Sequence, residues 1–410
     1  MERDRSGAAA LAAGATRPRI KAPAPAWAWA WRATWTSRLL VLAASAVAIA
    51  VWDRSGRVAD FDPAGLTGGL GAPFAAWDSV WFLSVADHGY AGDAQAAFFP
   101  LYPLLVRGGG WVLGSPLLAG VVISCAAMLA ALAALHELTR IELGDEAARW
   151  TVVGLALSPM SFFLSAVYSE AVFLAVSVGC VLAARRERWW LAGLLGALGA
   201  ATRSAGVLLV VPMALLMLSA RPARARDWLA LAVVPCGLGA FLGGLALTGH
   251  DWTAPFHAQE VWFRAFAGPF GGVPDGAVAA WEGVRQLLYG HRDMAYFTKA
   301  GGDPLYVARV NLMLFAFLLA AVPMLWGAAR RLPPAYAAYA LAALALPLSY
   351  PVAPQPLMSL PRFELVLFPL WMWWGWWLAR HPRGRLPALA ASAALLAVFS
   401  AQFATFHWVA

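Results

Sequence analysis

The chain has 410 residues, of which 61% are hydrophobic and only 13% charged, with a mean hydropathy of +0.65. Soluble domains are about half apolar and about a quarter charged, so this shortage of charge excludes an ordinary soluble protein. The net charge of +8 does not point to nucleic acid either, because the basic residues sit in short clusters between apolar runs rather than among aromatics in a polar domain. At about 20 apolar residues per crossing, the length allows on the order of ten membrane spans.

The N-terminal stretch 1–37 carries Arg3, Arg5, Arg17, Arg19 and Lys21 and reads as a disordered cytoplasmic tail. It is long for a signal peptide and no small-residue cleavage site stands out after it, so the first span, 38–52, is expected to be retained. Everything from 38 to 410 reads as one transmembrane domain. The first outer loop is expected at 53–97, a return span near 113–136, and a basic inner segment at His136–Arg149. Residues 150–167 and 169–184 form a hairpin that ends at Arg185-Arg186-Glu187-Arg188.

The next stretch, 189–219, is apolar except for Arg203 at its middle, and it is flanked by arginines on both sides. A single span would bury Arg203 at a cost of roughly 2.5–3.5 kcal/mol and would break the charge bias. Two short helices with Arg203 at their outer apex avoid both. A span at 228–248, an outer loop at 249–303, spans at 304–327, 334–350 and 363–380, and a last span at 386–406 complete about eleven crossings. An outer connection at 350–362 lies between the last pair but one.

Cys125, Cys180 and Cys236 lie inside apolar segments without metal-ligand spacing and read as small buried hydrophobes. No Gly-rich phosphate loop, H-E-x-x-H or Cys/His zinc pattern occurs in the sequence.

Under this topology the unusual residues gather on the outer side. Trp77, Trp81 and Val85 repeat at helical spacing, which predicts a short interfacial helix with Asp78 at its edge. An aromatic belt with an N-capping aspartate would read the same way. Glu170 opens a span after Tyr168-Ser169, where capping of the helix dipole is an equal alternative. Arg362 precedes a span on the side where arginine is disfavoured, which leaves snorkelling or a functional role. The loop segment Phe256–Arg264 adds His257, Gln259 and Glu260, with His257 readable as a simple hydrogen-bonder. Outer carboxylates beside two outer arginines suit a site that binds a phosphate and activates a hydroxyl, because arginine's fork matches phosphate and a carboxylate can act as general base.

Four segments in order resemble a known family. They are Trp77-Asp78 … Phe82 … Gly89-Tyr90 … Phe98-Phe99-Pro100-Leu101-Tyr102-Pro103; Ser158-Pro159 … Tyr168-Ser169-Glu170 … Phe173; Ala201-Thr202-Arg203-Ser204-Ala205-Gly206; and Leu360-Pro361-Arg362-Phe363-Glu364 … Phe368-Pro369. They are similar to the PIG-V-type mannosyltransferases of the GT-C superfamily. Ala205 stands where eukaryotic members carry an asparagine, and Asp93 is displaced from the family's acidic position.

The resemblance implies an all-α, polytopic GT-C bundle with short interfacial helices in the first outer loop. It implies inverting transfer of a hexose, most simply mannose, from a polyprenyl-phosphate donor to an extracytoplasmic glycolipid, glycan or protein acceptor. Asp78 becomes the expected base, and Arg203 and Arg362 the expected donor-phosphate ligands. Trp77, Tyr168, Glu170, His88 and Gln259 become the expected contacts to sugar or acceptor, with Glu170 alternatively orienting an arginine. No metal is expected, since Asp78 and Asp87 lie nine positions apart without a tight second carboxylate. The arginine-rich, lysine-poor chain fits a bacterial inner membrane. A transporter or lipid-linked-sugar flippase is the competing reading, and it would place its charges near the bilayer midplane in paired halves. A non-catalytic membrane scaffold would leave the same Asp and Arg residues without a task.

Overall fold

The computed structural model describes residues 25–52, 71–220, 224–290, 303–353 and 355–409. Among these, all regular structure is helical apart from one antiparallel bridge between Arg264 and Val352.

Helix α1 (Ala26–Val51) starts twelve residues before the expected span. The reason is local: Pro25 caps the start, and the Ala/Trp run that follows is rich in alanine, the strongest helix former. The disordered tail inferred for 1–37 therefore does not extend past Pro25, and residues 1–24 lie outside the described residues. So do 53–70, most of the front of the first outer loop. The end of that loop forms α2 (Asp78–His88), the short helix expected from the Trp77/Trp81/Val85 spacing. Helices α3 (Leu101–Leu113) and α4 (Pro116–Leu143) follow, separated by a turn through Gly114 in the left-handed region.

The expected span 150–167 is not a continuous helix. Helix α5 (Asp145–Ala156) stops early, and the chain then runs irregularly, with one 3-10 turn at Ser161–Leu164, to α6 (Glu170–Arg185). Pro159 and three serines explain the break, because proline removes a backbone donor and serine hydroxyls compete for backbone carbonyls. Ser161 Oγ donates to the Ala156 carbonyl at 2.6 Å, and Ser165 Oγ to that of Phe162 at 3.1 Å. Irregular backbone at membrane depth survives only when protein surrounds it, and residues 160–174 are all buried. Arg38 of α1 clamps the segment, donating to the Ser161 carbonyl at 2.6 Å and to the hydroxyls of Ser161 and Ser165 at 2.8 Å each.

The stretch 189–219 does fold back on itself. Helix α7 (Trp189–Ala200) meets a 3-10 turn (Ser204–Leu209) that leads into α8 (Val210–Ser219), with Arg203 at the corner. The stretch 228–248 is broken into α9 (Ala225–Val233) and α10 (Cys236–Leu247), bent by 42°. Pro235 sits at that break, where its missing N–H ends one ladder and its fixed φ starts the next. The loop expected at 249–303 conceals an 18-residue helix, α11 (Gly272–Tyr289), packed on α12 (Pro304–Arg331). The remaining helices are α13 (Pro334–Leu348), α14 (Leu360–Leu365), α15 (Phe368–Arg380) and α16 (Pro382–Ala404).

Among the described residues, four helices are long and apolar enough to cross a membrane alone, α1, α4, α12 and α16, and the bent pair α9–α10 makes a fifth if it is one span. Any further crossings fall to shorter apolar pieces such as α7, α8 and α13. At the centre, α4 packs along α6, α5 along α15, and α1 along both α4 and α16.

The bundle has two chemically different ends. The 16 residues of α6 span about 24 Å. Glu170 opens that helix at one end, while at the other Arg185 pairs with Glu142 and Arg186 with Glu137 at 2.7 Å. Arg385 joins the same basic end through Glu146 at 3.3 Å.

Candidate active site

At the other end, the fold brings together residues from four distant parts of the chain. Arg362 on α14 donates through Nη1 to Asp78 Oδ2 at 2.7 Å. Its Nε and Nη2 both reach Glu170 Oε1, at 3.0 and 2.9 Å. Arg203, at the α7–α8 corner, adds a third donor to the same Glu170 oxygen at 2.8 Å. The Arg362 guanidinium also lies over the Tyr168 and Phe163 rings, 4.8 and 5.0 Å from their centroids. Asp78, Glu170, Arg203 and Arg362 are thus one network.

The two carboxylates are not equivalent. The Glu170 side chain is 0% exposed, whereas that of Asp78 is 25% exposed. Asp78 commits Oδ2 to Arg362, and Oδ1 has no protein partner among the described residues. Asp78 is therefore the carboxylate an incoming hydroxyl can reach.

Tyr168 sets the position of Asp78. Its phenol donates to the Ala76 carbonyl at 2.9 Å and accepts the Asp78 backbone N–H at 3.2 Å. In this way a side chain does what an N-cap residue normally does for the start of α2. Trp77 is buried against Phe406 and Trp408, with ring centroids 5.2 and 5.3 Å away. A sugar-binding role does not fit either residue: the Tyr168 hydroxyl is used on both sides, and the Trp77 ring is stacked within the protein. Glu170 is likewise closed off from solvent, with Oε1 taken up by two arginines. His88 lies exposed at the far end of α2, about 15 Å along the helix from Asp78. Gln259 is exposed on the loop that Trp262 ties to Trp81, with ring centroids 6.2 Å apart. Neither makes a side-chain contact to the network.

One residue joins the site without having been singled out from sequence. Arg264 lies over the Phe363 ring at 5.8 Å, and Arg203 lies over the same ring at 5.6 Å. Its guanidinium donates to the carbonyls of Tyr350 and Met358 at 3.1 and 3.0 Å. Burial weakens its hold on a proton, the nearby Arg362 charge adds to this, and Asp78 offsets part of it. The sequence signal was present, since Arg264 joins Arg203 and Arg362 as a further arginine on a side where arginine is disfavoured. A cavity of about 400 Å³ lined by Trp29, Glu146, Arg149 and Arg385 lies at the basic end and is separate from this network.

A helical membrane protein with a sealed carboxylate–arginine network and one reachable aspartate at one end of its bundle is the class these observations define. Residues 66–220, which hold three of the four network positions, match the family described as Mannosyltransferase (PIG-V). Over that stretch the chain is similar to the PIG-V-type proteins. It is 34% identical over 159 residues to the GPI alpha-1,6-mannosyltransferase 2 of Cricetulus griseus, a match covering 36% of this chain and 31% of the hamster protein. It is 35% identical over 158 residues to the human protein of the same name, again over 36% and 31% of the two chains. The chain thus matches about a third of the length of these relatives. Among solved structures it is similar to the oligosaccharyltransferase AglB of Archaeoglobus fulgidus, with a TM-score of 0.45 and 11% identity, over 92% of this chain and 55% of AglB. A second solved structure of an oligosaccharyltransferase from that organism gives a TM-score of 0.38 at 13% identity, over 76% of this chain and 44% of that one.

Proposed function

We propose that this protein is a membrane mannosyltransferase that moves mannose from a polyprenyl-phosphate donor to an acceptor hydroxyl, with inversion and without a resident metal. The observation that carries the reading is the division of labour between the carboxylates. Glu170 is sealed and locks two arginines, while Asp78 keeps one oxygen open. The relatives' names supply the sugar; the site supplies the chemistry.

In the proposed reaction the acceptor oxygen attacks the anomeric carbon while its proton passes to Asp78 Oδ1. The bond from that carbon to the phosphate oxygen breaks, and the leaving phosphate keeps the electron pair. Arg362 and the Tyr168 phenol hold Asp78 in one orientation, so little reorganisation precedes proton transfer. Stabilising the phosphate's growing charge falls to the arginines. Each carboxylate already faces a guanidinium, which supplies the positive charge a divalent ion would otherwise bring. The acceptor is a hydroxyl-bearing glycolipid, glycan or protein on the side of the membrane that Asp78 faces.

Purified protein given polyprenyl-phosphate mannose and an envelope extract should transfer mannose, equally well in the presence of a chelator. Asp78→Asn should lower kcat by roughly 10²–10⁴-fold, the usual worth of a general base. Turnover of the variant near the wild-type rate removes Asp78 as the base.

A further inference from the structure

Three arginines and two carboxylates meet at the site, and their contacts leave one charge uncancelled. Arg362 turns all three of its nitrogens to carboxylates, with Nη1 on Asp78 and Nε and Nη2 on Glu170. Arg203 gives Nη2 to Glu170. Those four groups together are electrically neutral. Arg264 has no carboxylate partner among the described residues. Its hydrogen bonds go to two backbone carbonyls, and its own backbone is fixed by the bridge to Val352. Carbonyls satisfy its N–H groups but leave its charge. A half-buried cation beside another cation is costly to keep unless something anionic arrives.

We infer that Arg264, rather than Arg362, takes the donor phosphate, and that the site is matched to a phosphodiester bearing one negative charge. This rests on the polyprenyl-phosphate reading above. The site with Asp78 ionised carries +1, and the sugar phosphodiester carries −1. When the acceptor's proton moves to Asp78, the site becomes +2. In the same step the phosphodiester loses its sugar and becomes a phosphate monoester of charge near −2. The two sides stay balanced across the reaction, which would not hold if Arg264 lay elsewhere. Arg203 offers a second donor, since its Nη1 is buried and without a partner. Arg362 is then a positioning residue, holding Asp78 against Glu170.

The test is direct binding of undecaprenyl-phosphate mannose, the phosphodiester itself, to the purified full-length protein in detergent, followed by tryptophan fluorescence or native mass spectrometry. Arg264→Gln should weaken binding roughly tenfold to a hundredfold, as expected for a lost charge-assisted contact. Arg264→Lys should restore it to within about threefold, because lysine keeps the charge although it cannot bridge two carbonyls as a planar fork does. Equal binding by wild type and Arg264→Gln overturns the assignment while leaving the polyprenyl-phosphate reading intact. Loss in both variants shows that the two-carbonyl bridge, not the charge, matters, and overturns it as well. Failure of the wild type itself to bind the lipid overturns the reading and the assignment together.

Discussion

Glu170 accepts three N–H bonds from two arginines on a single oxygen while fully excluded from solvent. Removing one partner of a buried ion network costs more than the network contributes, because the remaining charges are stranded. Glu170→Gln keeps the shape and removes the charge, and it should destabilise the protein by roughly 3–5 kcal/mol. Asp78→Asn should cost clearly less, since Asp78 is part-exposed and Arg362 retains Glu170. Thermal unfolding of the two variants in the same detergent checks the order, and equal melting temperatures would contradict it. The site also stores backbone strain. Trp77 and Ser359, which immediately precede α2 and α14, both have positive φ, at 56° and 67°. For a residue as large as tryptophan this is a costly conformation, sustained here by the ring's packing on Phe406 and Trp408. The sequence made the charged positions legible because each is out of place in an apolar chain. Their pairing was not legible: Arg362 meets partners 284 and 192 residues away, and no local pattern encodes that. Tyr168 likewise looked like a sugar contact, and only the fold shows its hydroxyl turned inward onto α2.

Among the elements, the α7–α8 hairpin was readable because two arginine-rich flanks required an even number of crossings. What makes the corner possible is Gly206, whose Cα lies so close to the backbone of Gly199 and Ala200 that a Cβ there would collide with both. Gly206→Ala should therefore push the Ser204–Leu209 turn off the end of α7, move Arg203 from Glu170, and cost about 1–3 kcal/mol, the usual penalty for overpacking. Both a lowered melting temperature and a reduced turnover are expected, and an unchanged protein would show that the corner has room to spare. Other elements were misread for physical reasons. Residues 150–167 are apolar enough for a span, but hydropathy does not register that Pro159 and its neighbouring serines end α5. The same blindness joined α9 to α10 across Pro235. Helix α11 was hidden because its polar residues made the segment look like loop, and its buried side is built of small residues such as Gly276, Ala279, Ala280 and Gly283, the last lying against Ala308 of α12.

For the whole molecule, charge is segregated between the two ends of the bundle. Arg185, Arg186 and Arg385 pair with acids at one end, and the Asp78 network lies at the other. By the positive-inside bias, the first end is the one expected to face the cytoplasm, and the thiol-labelling experiment below tests that orientation. Helix α7 connects the two ends over 12 residues, about 18 Å, which is less than the roughly 30 Å of a bilayer's hydrocarbon core. An undistorted bilayer would leave Arg203 about 12 Å inside its outer hydrocarbon edge, so the bilayer must thin around α7 for the network to reach the level of lipid phosphates. A cysteine at Arg188 and another at Ser204 separate these ends, and both positions are exposed. In a background with Cys125, Cys180 and Cys236 replaced, Ser204→Cys should react with a small impermeant thiol reagent from outside intact cells. Arg188→Cys should react only after the membrane is opened. Should both react from the same side, α7 and α8 would form a re-entrant loop that never crosses. The site would then face the compartment of the basic loops, and the donor lipid would have to be reached from there.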